Sequence, residues 1–139
     1  MNWLVKEEPS SYSFDSLVRD GSTRWSGVRN PLAQRHLAAM KKGDRVFYYH
    51  SGPERAVVGI ARARGDARPD PADARGRAVI VDLAPVGRLE RPVTLAEIKA
   101  LDAFSGHPLV RMPRLSVMPI DDRQWAAIEK AAGTPARRA

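Results

Sequence analysis

Three short segments within the first fifty residues constrain the fold most strongly. Residues 6–9 (KEEP) end a stretch that mixes apolar and charged side chains, as an opening strand does. Residues 25–30 (WSGVRN) place a tryptophan in a glycine-containing loop, and residues 43–51 (GDRVFYYHS) are typical of a buried strand rich in aromatic residues. A charged strand end, a loop tryptophan and an aromatic strand together indicate a binding pocket rather than a catalytic centre.

The length of 139 residues suits one domain with one hydrophobic core. We expect this domain to span residues 1–132 and residues 133–139 to form a disordered tail. No apolar run approaches the roughly 20 residues that a membrane span needs, so no membrane association is expected. The N-terminal residues lack the basic start and apolar middle of a secretory signal, which predicts a cytoplasmic or nuclear protein, with a cytoplasmic one favoured.

Composition restricts the ligands. The chain has no cysteine, and its three histidines are far apart in sequence, so we expect no metal and no cofactor. The net charge is +7, with 18 arginines and 5 lysines against 16 acidic residues. This excess favours a polyanionic partner, with nucleic acid as the first candidate. The charge is spread along the chain, and a solvated, arginine-rich surface is the alternative.

Capping residues predict where helices begin. The predicted helix starts are capped by Ser13, Asn30, Thr94 and Asp121. The second signal is strong, because Asn30 can accept from free N–H groups and Pro31 lacks the donor that would go unpaired at the first helical position. Glu97 completes a capping box with Thr94. The first three helices are expected to end at Gly21, Gly43 and Leu101, and the last one holds Trp125.

Strands are predicted at residues 2–7, 45–51, 56–63, 78–85 and 115–118. Residues 65–77 hold two prolines, two glycines and alternating charge, which predicts a long exposed loop. Strands and helices do not alternate regularly enough for a doubly wound parallel sheet. The pattern favours an α+β fold, a compact and mostly antiparallel β-barrel with short peripheral helices.

The three N-terminal segments, residues 114–117 (RLSV) before Pro119, and the late Trp125 resemble the EVE domain family over nearly the whole chain. The resemblance implies a PUA-like β-barrel. EVE domains are similar to YTH domains, which hold a methylated adenine in an aromatic cage, and bacterial EVE domains are associated with modified cytosine in DNA. The resemblance therefore implies a non-catalytic module that recognises a modified base, with modified cytosine in DNA favoured.

Trp25 is the first candidate for contact with a base. An indole face holds a planar base by stacking worth about 1 to 3 kcal/mol. Gly27 lets the backbone approach a ligand closely, and Ser26 offers a hydroxyl and an N–H that can read a base edge. The alternative is structural, with Trp25 closing the open end of the barrel.

The similarity to YTH domains extends the pocket to other residues. It aligns Lys6 and Glu8 with a polar strand end beside the base, where the Glu8 carboxylate would prefer an amino donor such as cytosine N4. YTH domains place a second cage tryptophan in the loop that corresponds to residues 64–77, but this loop contains no aromatic residue. We expect Tyr48 and His50, which share a strand face, to complete the pocket. The alternative is that both tyrosines of this strand belong to the core.

Phosphate contacts are expected beside the tryptophan loop. The helix that begins at Pro31 presents free N–H groups and a partial positive charge, next to Arg29 and Asn30. Arg111 and Arg114 are further candidates for contacts with the nucleic-acid backbone. A simple N-cap role is the alternative for Asn30, and surface ion pairing is the alternative for the arginines.

Two other functions remain open. PUA-like barrels include ASCH-type hydrolases that act on modified nucleosides, and Lys6, Glu7 and Glu8 beside a pocket could supply a base and an electrophile. The sequence shows no recognisable nucleophile motif, so we expect no enzyme. An RNA-binding adaptor on the same barrel is the other alternative. Any effector would be a separate protein acting in trans.

Overall fold

The structure is a computed structural model that describes residues 1–133, so most of the predicted tail lies outside the described residues. The strands are β1 Asn2–Glu7, β2 Thr23–Trp25, β3 Arg45–His50, β4 Ala56–Ala63, β5 Arg68–Pro69, β6 Val79–Thr94 and β7 Val117–Ile120. The helices are α1 Pro9–Tyr12, α2 Phe14–Asp20, α3 Pro31–Ala38, α4 Leu95–Lys99, α5 Pro108–Arg111 and α6 Asp122–Ala131, with a 3-10 turn at Asp102–Phe104.

The strands form one mixed sheet in the order β2-β6-β4-β3-β1-β7, and β5 also pairs with β6. Only the pairing of β1 with β3 is parallel; the other pairings among the described residues are antiparallel. The rings of Trp25 on β2 and Tyr48 on β3 touch, although two strands lie between them. The sheet therefore curls into a half-barrel, which confirms the predicted α+β, PUA-like fold.

Helices cover both faces of the curled sheet. The inner face, which carries Val46 and Tyr48, packs against Phe14 at the start of α2. The outer face carries Phe47, whose ring stacks on Trp125 of α6 at a centroid distance of 3.7 Å. Because every second residue of β3 points to the same side, its run of buried residues serves two hydrophobic layers.

All four predicted helix caps are confirmed. The Ser13 side chain accepts from the N–H of Ser16, and Asn30 Oδ1 accepts from the N–H groups of Leu32 and Ala33. Capping boxes are present where Thr94 pairs with Glu97 and where Asp121 pairs with Gln124. These caps were predictable because each depends on residues at most three positions apart.

Several element ends differ from the sequence prediction. α3 ends at Ala38, short of Gly43, and α4 ends at Lys99, short of Leu101. β6 runs for 16 residues instead of ending at residue 85, because β4 pairs with it as far as Thr94. β7 lies two residues later than predicted, and β5 forms within the predicted loop at residues 65–77.

Two short α-helices and the 3-10 turn at Asp102–Phe104 were not predicted. α1 and α5 each contain four residues and begin at a proline, Pro9 and Pro108. Proline at the first helical position was an available signal, but such short turns carry no apolar periodicity to support it. Within residues 1–133, no helix combines the length and the apolar character needed to cross a bilayer.

Candidate functional site

Trp25 is the last residue of β2 and lies opposite Val81 of β6, so the prediction that it sits in a loop is wrong. Only 6% of its surface is exposed. Its ring meets the Tyr48 ring edge-on, with 5.5 Å between centroids and 85° between planes. The short segment Thr23–Trp25 pairs with residues 81–83 of β6, a pairing that the sequence did not predict. Trp25 is therefore part of the hydrophobic core, and the chain becomes exposed at the next residue, Ser26.

Tyr48 lies behind Trp25 and has no exposed surface. Its hydroxyl donates to the backbone carbonyl of Tyr12 at 2.6 Å, and the Phe14 ring packs against it at 5.6 Å. Burial raises the pKa of the Tyr48 phenol well above its ordinary value. Tyr48 thus supports the tryptophan from inside the barrel and does not line open surface in this conformation.

His50 lies on the same face as Tyr48, as predicted, with their ring centroids 5.8 Å apart. Its Nε2 accepts a hydrogen bond from the N–H of Phe14 at 3.0 Å. The Nε2 atom must therefore be unprotonated, so the ring proton resides on Nδ1 and is donated to Glu54 Oε1 at 2.8 Å. Both ring nitrogens are occupied, and the imidazole fixes the start of α2 against the sheet.

Phe14 approaches the backbone of β4 at Gly59, which is paired with Tyr48. A Cβ atom built on Gly59 would lie 2.6 Å from Phe14 Cζ. Phe14, Tyr12 and Glu54 were not predicted as supports of the site. A glycine inside an otherwise apolar strand was the one available signal, because it often marks a close approach.

The chain after Trp25 is exposed. Ser26, Gly27 and Arg29 all lie at the surface, and Gly27 adopts φ +73°, a left-handed conformation that favours glycine. Gln34 of α3, also missed, holds this segment in place. Its Nε2 donates to the carbonyl of Val28 at 2.7 Å, and its Oε1 accepts from the N–H of Val79 at 3.0 Å. The segment 26–30 is thus anchored to both α3 and β6.

Asn30 acts as the N-cap of α3, so its predicted alternative role is confirmed. Its Oδ1 already accepts two backbone hydrogen bonds. Arg29 beside it is exposed and free to contact solvent or a ligand. The predicted phosphate contact of this helix start stays a prediction.

Lys6 lies on the opposite face of the sheet from Tyr48 and His50, because it is paired with Tyr49. Its Nζ lies 5.5 Å from the centre of the Tyr49 ring and donates to the carbonyl of Pro113 at 3.1 Å. Burial lowers the pKa of the Lys6 ammonium. The structure therefore separates Lys6 from the aromatic residues of the inner face.

The remaining predicted site residues lie on the surface. Arg111 ends α5 and Arg114 follows it, so both flank the carbonyl that Lys6 binds. Glu8 is exposed at the start of α1, where its N–H donates to the side chain of Glu7. Glu7, rather than Lys6, is paired with His50.

Three surface cavities have been located away from Trp25. The largest, about 630 Å³, lies between the 3-10 turn and α6 and includes Leu101, Ala127 and Lys130 in its wall. The other two, about 410 and 240 Å³, lie beside Asn2 and beside Arg55. Trp25 lines none of these three, so in this conformation the aromatic residues form a closed layer under the segment 26–30.

Relatives and solved structures agree on the family. The chain is 31% identical to thymocyte nuclear protein 1 of Gallus gallus, in a match that covers 89% of this chain and 65% of the chicken protein. This chain thus spans just under two thirds of that relative. A Rhodopseudomonas palustris structure, 44% identical, superposes with a TM-score of 0.90 over 95% of this chain and 92% of the other.

A human structure adds a ligand to the comparison. The human THYN1 protein in complex with DNA containing 5-methylcytosine is 26% identical and has a TM-score of 0.80, with coverage of 96% of this chain and 98% of the human chain. The family model named EVE domain matches residues 1–131. This match extends over nearly the whole chain, and the chain belongs to the EVE domain family.

Proposed function

We propose that this EVE domain binds nucleic acid without altering it and holds a modified base against Trp25, with modified cytosine in DNA favoured. One observation carries the proposal. The Trp25 ring lies inside the curled sheet, while the next residue, Ser26, is already exposed. A base can therefore reach the indole if Ser26 and Gly27 shift while Gln34 keeps its hydrogen bond to Val28.

The groups around Trp25 suit a flat base with an added apolar group. The indole supplies a stacking face, and an additional methyl group gains roughly 0.8 kcal/mol on entering an apolar wall. Within residues 1–133, no hydrogen bond occupies the Ser26 hydroxyl or the N–H of Gly27. These two groups are available to read the polar edge of the base.

The human THYN1 complex supports DNA as the partner, because that protein has the same fold and contacts DNA containing 5-methylcytosine. Extending the recognition of 5-methylcytosine to this chain is part of our proposal. Flipping a base out of a duplex costs a few kcal/mol, which stacking on Trp25 and contacts to Ser26 would offset. RNA is the alternative partner, and an effector protein in trans is a further proposal.

Binding without catalysis is supported by the positions of the titratable groups. Lys6 lies on the other face of the sheet, and both nitrogens of His50 are hydrogen bonded to other residues. Neither group is placed to exchange a proton with a base stacked on Trp25. The ASCH-type hydrolase alternative would have to use Glu7, which is paired with His50, or the exposed Glu8.

The test is a binding panel at fixed salt. Fluorescence anisotropy would compare single- and double-stranded oligonucleotides, in DNA and RNA, that differ only in one cytosine, 5-methylcytosine, adenine or N6-methyladenine. We expect a preference of about fourfold or more for a modified cytosine in DNA, in line with the roughly 0.8 kcal/mol gained by the added methyl group. Equal affinity for all bases would contradict the proposal. Mass spectrometry of the recovered oligonucleotide would reveal hydrolysis if the enzyme alternative were correct.

A further inference from the structure

Three arginines lie in a compact group on the outer face of the sheet. Arg24 of β2 is paired with Asp82 of β6, and the N–H of Arg64, just after β4, donates to the carbonyl of Asp82 at 2.8 Å. Arg24, Asp82 and Arg64 thus form one row across three adjacent strands. Arg62 lies two residues earlier along β4 and shares the same face. We call Arg24, Arg62 and Arg64 the arginine strip.

The direction of these side chains follows from their neighbours. Trp25, Leu83 and Ala63 point into the barrel and are buried. The residues that alternate with them must point outwards, and Arg24, Arg62 and Arg64 are indeed exposed. The strip therefore lies on the outside of the same strands that hold the tryptophan inside.

The charges of the strip are not neutralised within the described chain. Asp82 is the acid of the row, and both of its oxygens accept from Nη2 of Arg68, at 3.1 and 2.9 Å. Among residues 1–133, no ion pair or side-chain hydrogen bond involves the guanidinium groups of the strip. Four other arginines in this part of the chain do pair with acids, namely Arg19, Arg68, Arg88 and Arg91. An exposed row of unpaired guanidinium groups suits a polyanion.

We propose that the arginine strip binds the phosphate backbone of the same nucleic-acid strand whose base contacts Trp25. The proposal rests on the proposed function. Arg24 directly precedes Trp25, so the backbone on one side of a bound base would pass onto the outer face. Arg24 and Arg64 are two strand spacings apart, about 10 Å, and Arg62 lies about 7 Å from Arg64 along the strand. Such an array can contact successive phosphates, each through a forked pair of N–H donors.

Phosphate contacts position a strand but carry no base preference. We therefore expect the strip to affect affinity and its salt dependence, and not the preference between bases. The test compares the R24Q/R62Q/R64Q variant with a control of equal charge change, K99Q/R123Q/K130Q, on α4 and α6. Both would be titrated over a salt series with the cytosine and 5-methylcytosine oligonucleotides. We expect the strip variant to lower the salt slope by about 2 for single strands and about 3 for duplex, and the control by less than about 1.

The ratio of the affinities for 5-methylcytosine and cytosine should stay unchanged in the strip variant. A third variant, R24K/R62K/R64K, keeps the charge and should retain most of the salt slope. It controls for the possibility that the glutamine variant loses its salt slope by unfolding. Equal salt slopes for the strip variant and the control would overturn the proposal that the strip binds phosphate. The unchanged chain could bind every base equally while the strip variant shows the reduced salt slope. That result would overturn the base-recognition proposal and leave phosphate binding by the strip supported. An unchanged chain that binds no oligonucleotide at low salt would overturn both.

Discussion

The Trp25 ring meets the Tyr48 ring edge-on across the interior of the half-barrel, although β6 and β4 separate their strands in the sheet. Edge-to-face aromatic pairs of this kind contribute about 0.5 to 1.5 kcal/mol beyond the area they bury. The wall of the proposed base site is therefore also part of the hydrophobic core. Substitutions at this wall change stability and binding together, and each must be measured separately.

Replacing Trp25 with alanine should lower the free energy of unfolding by about 3 to 5 kcal/mol, because a nearly buried indole is lost. Trp25→Phe keeps a ring against Tyr48 and should cost less. Urea unfolding measures the stability of each variant, and anisotropy measures its base preference. If folded Trp25→Ala protein kept the full preference for a modified base, Trp25 would have only the structural role.

Gly59→Ala should lower stability by about 1 to 3 kcal/mol, because the new Cβ would lie 2.6 to 2.7 Å from three atoms of the Phe14 ring. Gly87 of β6 is the matched control, since a Cβ there meets nothing within 4 Å. Thermal unfolding of Gly59→Ala, Gly87→Ala and the Gly59→Ala/Phe14→Leu double variant would separate crowding from backbone effects. Equal stability of the two single variants would argue against the close packing.

Tyr48 makes stability sensitive to high pH. Burial raises the pKa of its phenol, so above about pH 10 the unfolded chain loses a proton that the folded chain keeps. Stability should then fall as pH rises, by at most about 1.4 kcal/mol per pH unit from this residue. Tyr48→Phe should show a shallower alkaline loss in urea unfolding at pH 9 to 11 (about one unit either side of the ordinary phenol pKa).

At neutral pH the same Tyr48→Phe variant should be about 0.5 to 1.5 kcal/mol less stable, since the hydrogen bond to the Tyr12 carbonyl is lost. An alkaline loss as steep as that of the unchanged chain would show that other tyrosines are responsible. Tyr12 and Tyr49 are the candidates, since burial raises the pKa of both phenols.

Gln34→Ala should weaken base preference more than it weakens general nucleic-acid affinity. The substitution removes both hydrogen bonds that tie the segment 26–30 to α3 and β6. Ser26 and Gly27 would then be less well positioned to read a base edge. We expect a several-fold smaller ratio between modified and unmodified cytosine and an unchanged salt slope. Arg35→Ala, a neighbouring exposed site on α3, is the control and should leave the ratio unaltered.

Glu8→Gln tests the proposed carboxylate contact to an amino donor such as cytosine N4. Glu8 is exposed at the start of α1, so the substitution should leave stability within about 0.5 kcal/mol. We expect the preference for cytosine bases to fall by a few fold in the oligonucleotide panel. Full retention of affinity and base preference would remove Glu8 from the site.

Local features of the chain were predictable. The caps at Ser13, Asn30, Thr94 and Asp121 are satisfied as expected, and β1, β3 and β4 lie where the apolar patterns placed them. The face shared by Tyr48 and His50 was also predictable, because strand side chains alternate with a period of two. Each of these properties depends on residues that are close together in sequence.

Trp25 shows what sequence could not supply. Its setting after an arginine and before Ser26 and Gly27 is typical of a loop, yet β6 pairs with it and draws the indole into the core. The separation of Lys6 from the aromatic face follows from the parallel register of β1 with β3, which no local pattern reveals. The hydrogen bonds of His50 to Phe14 and Glu54 likewise depend on α2 packing on the sheet.

The sequence by itself determined the composition of the protein, its helix starts, its main strands and, through its motifs, its resemblance to the EVE domain family. The tertiary structure decided which of the candidate residues are brought together. Cross-strand register and sheet curling join residues dozens of positions apart, as they do for Trp25 with Tyr48 and for Arg24 with Arg64. Such contacts depend on the balance of pairing and packing over the whole chain, and no short segment encodes that balance.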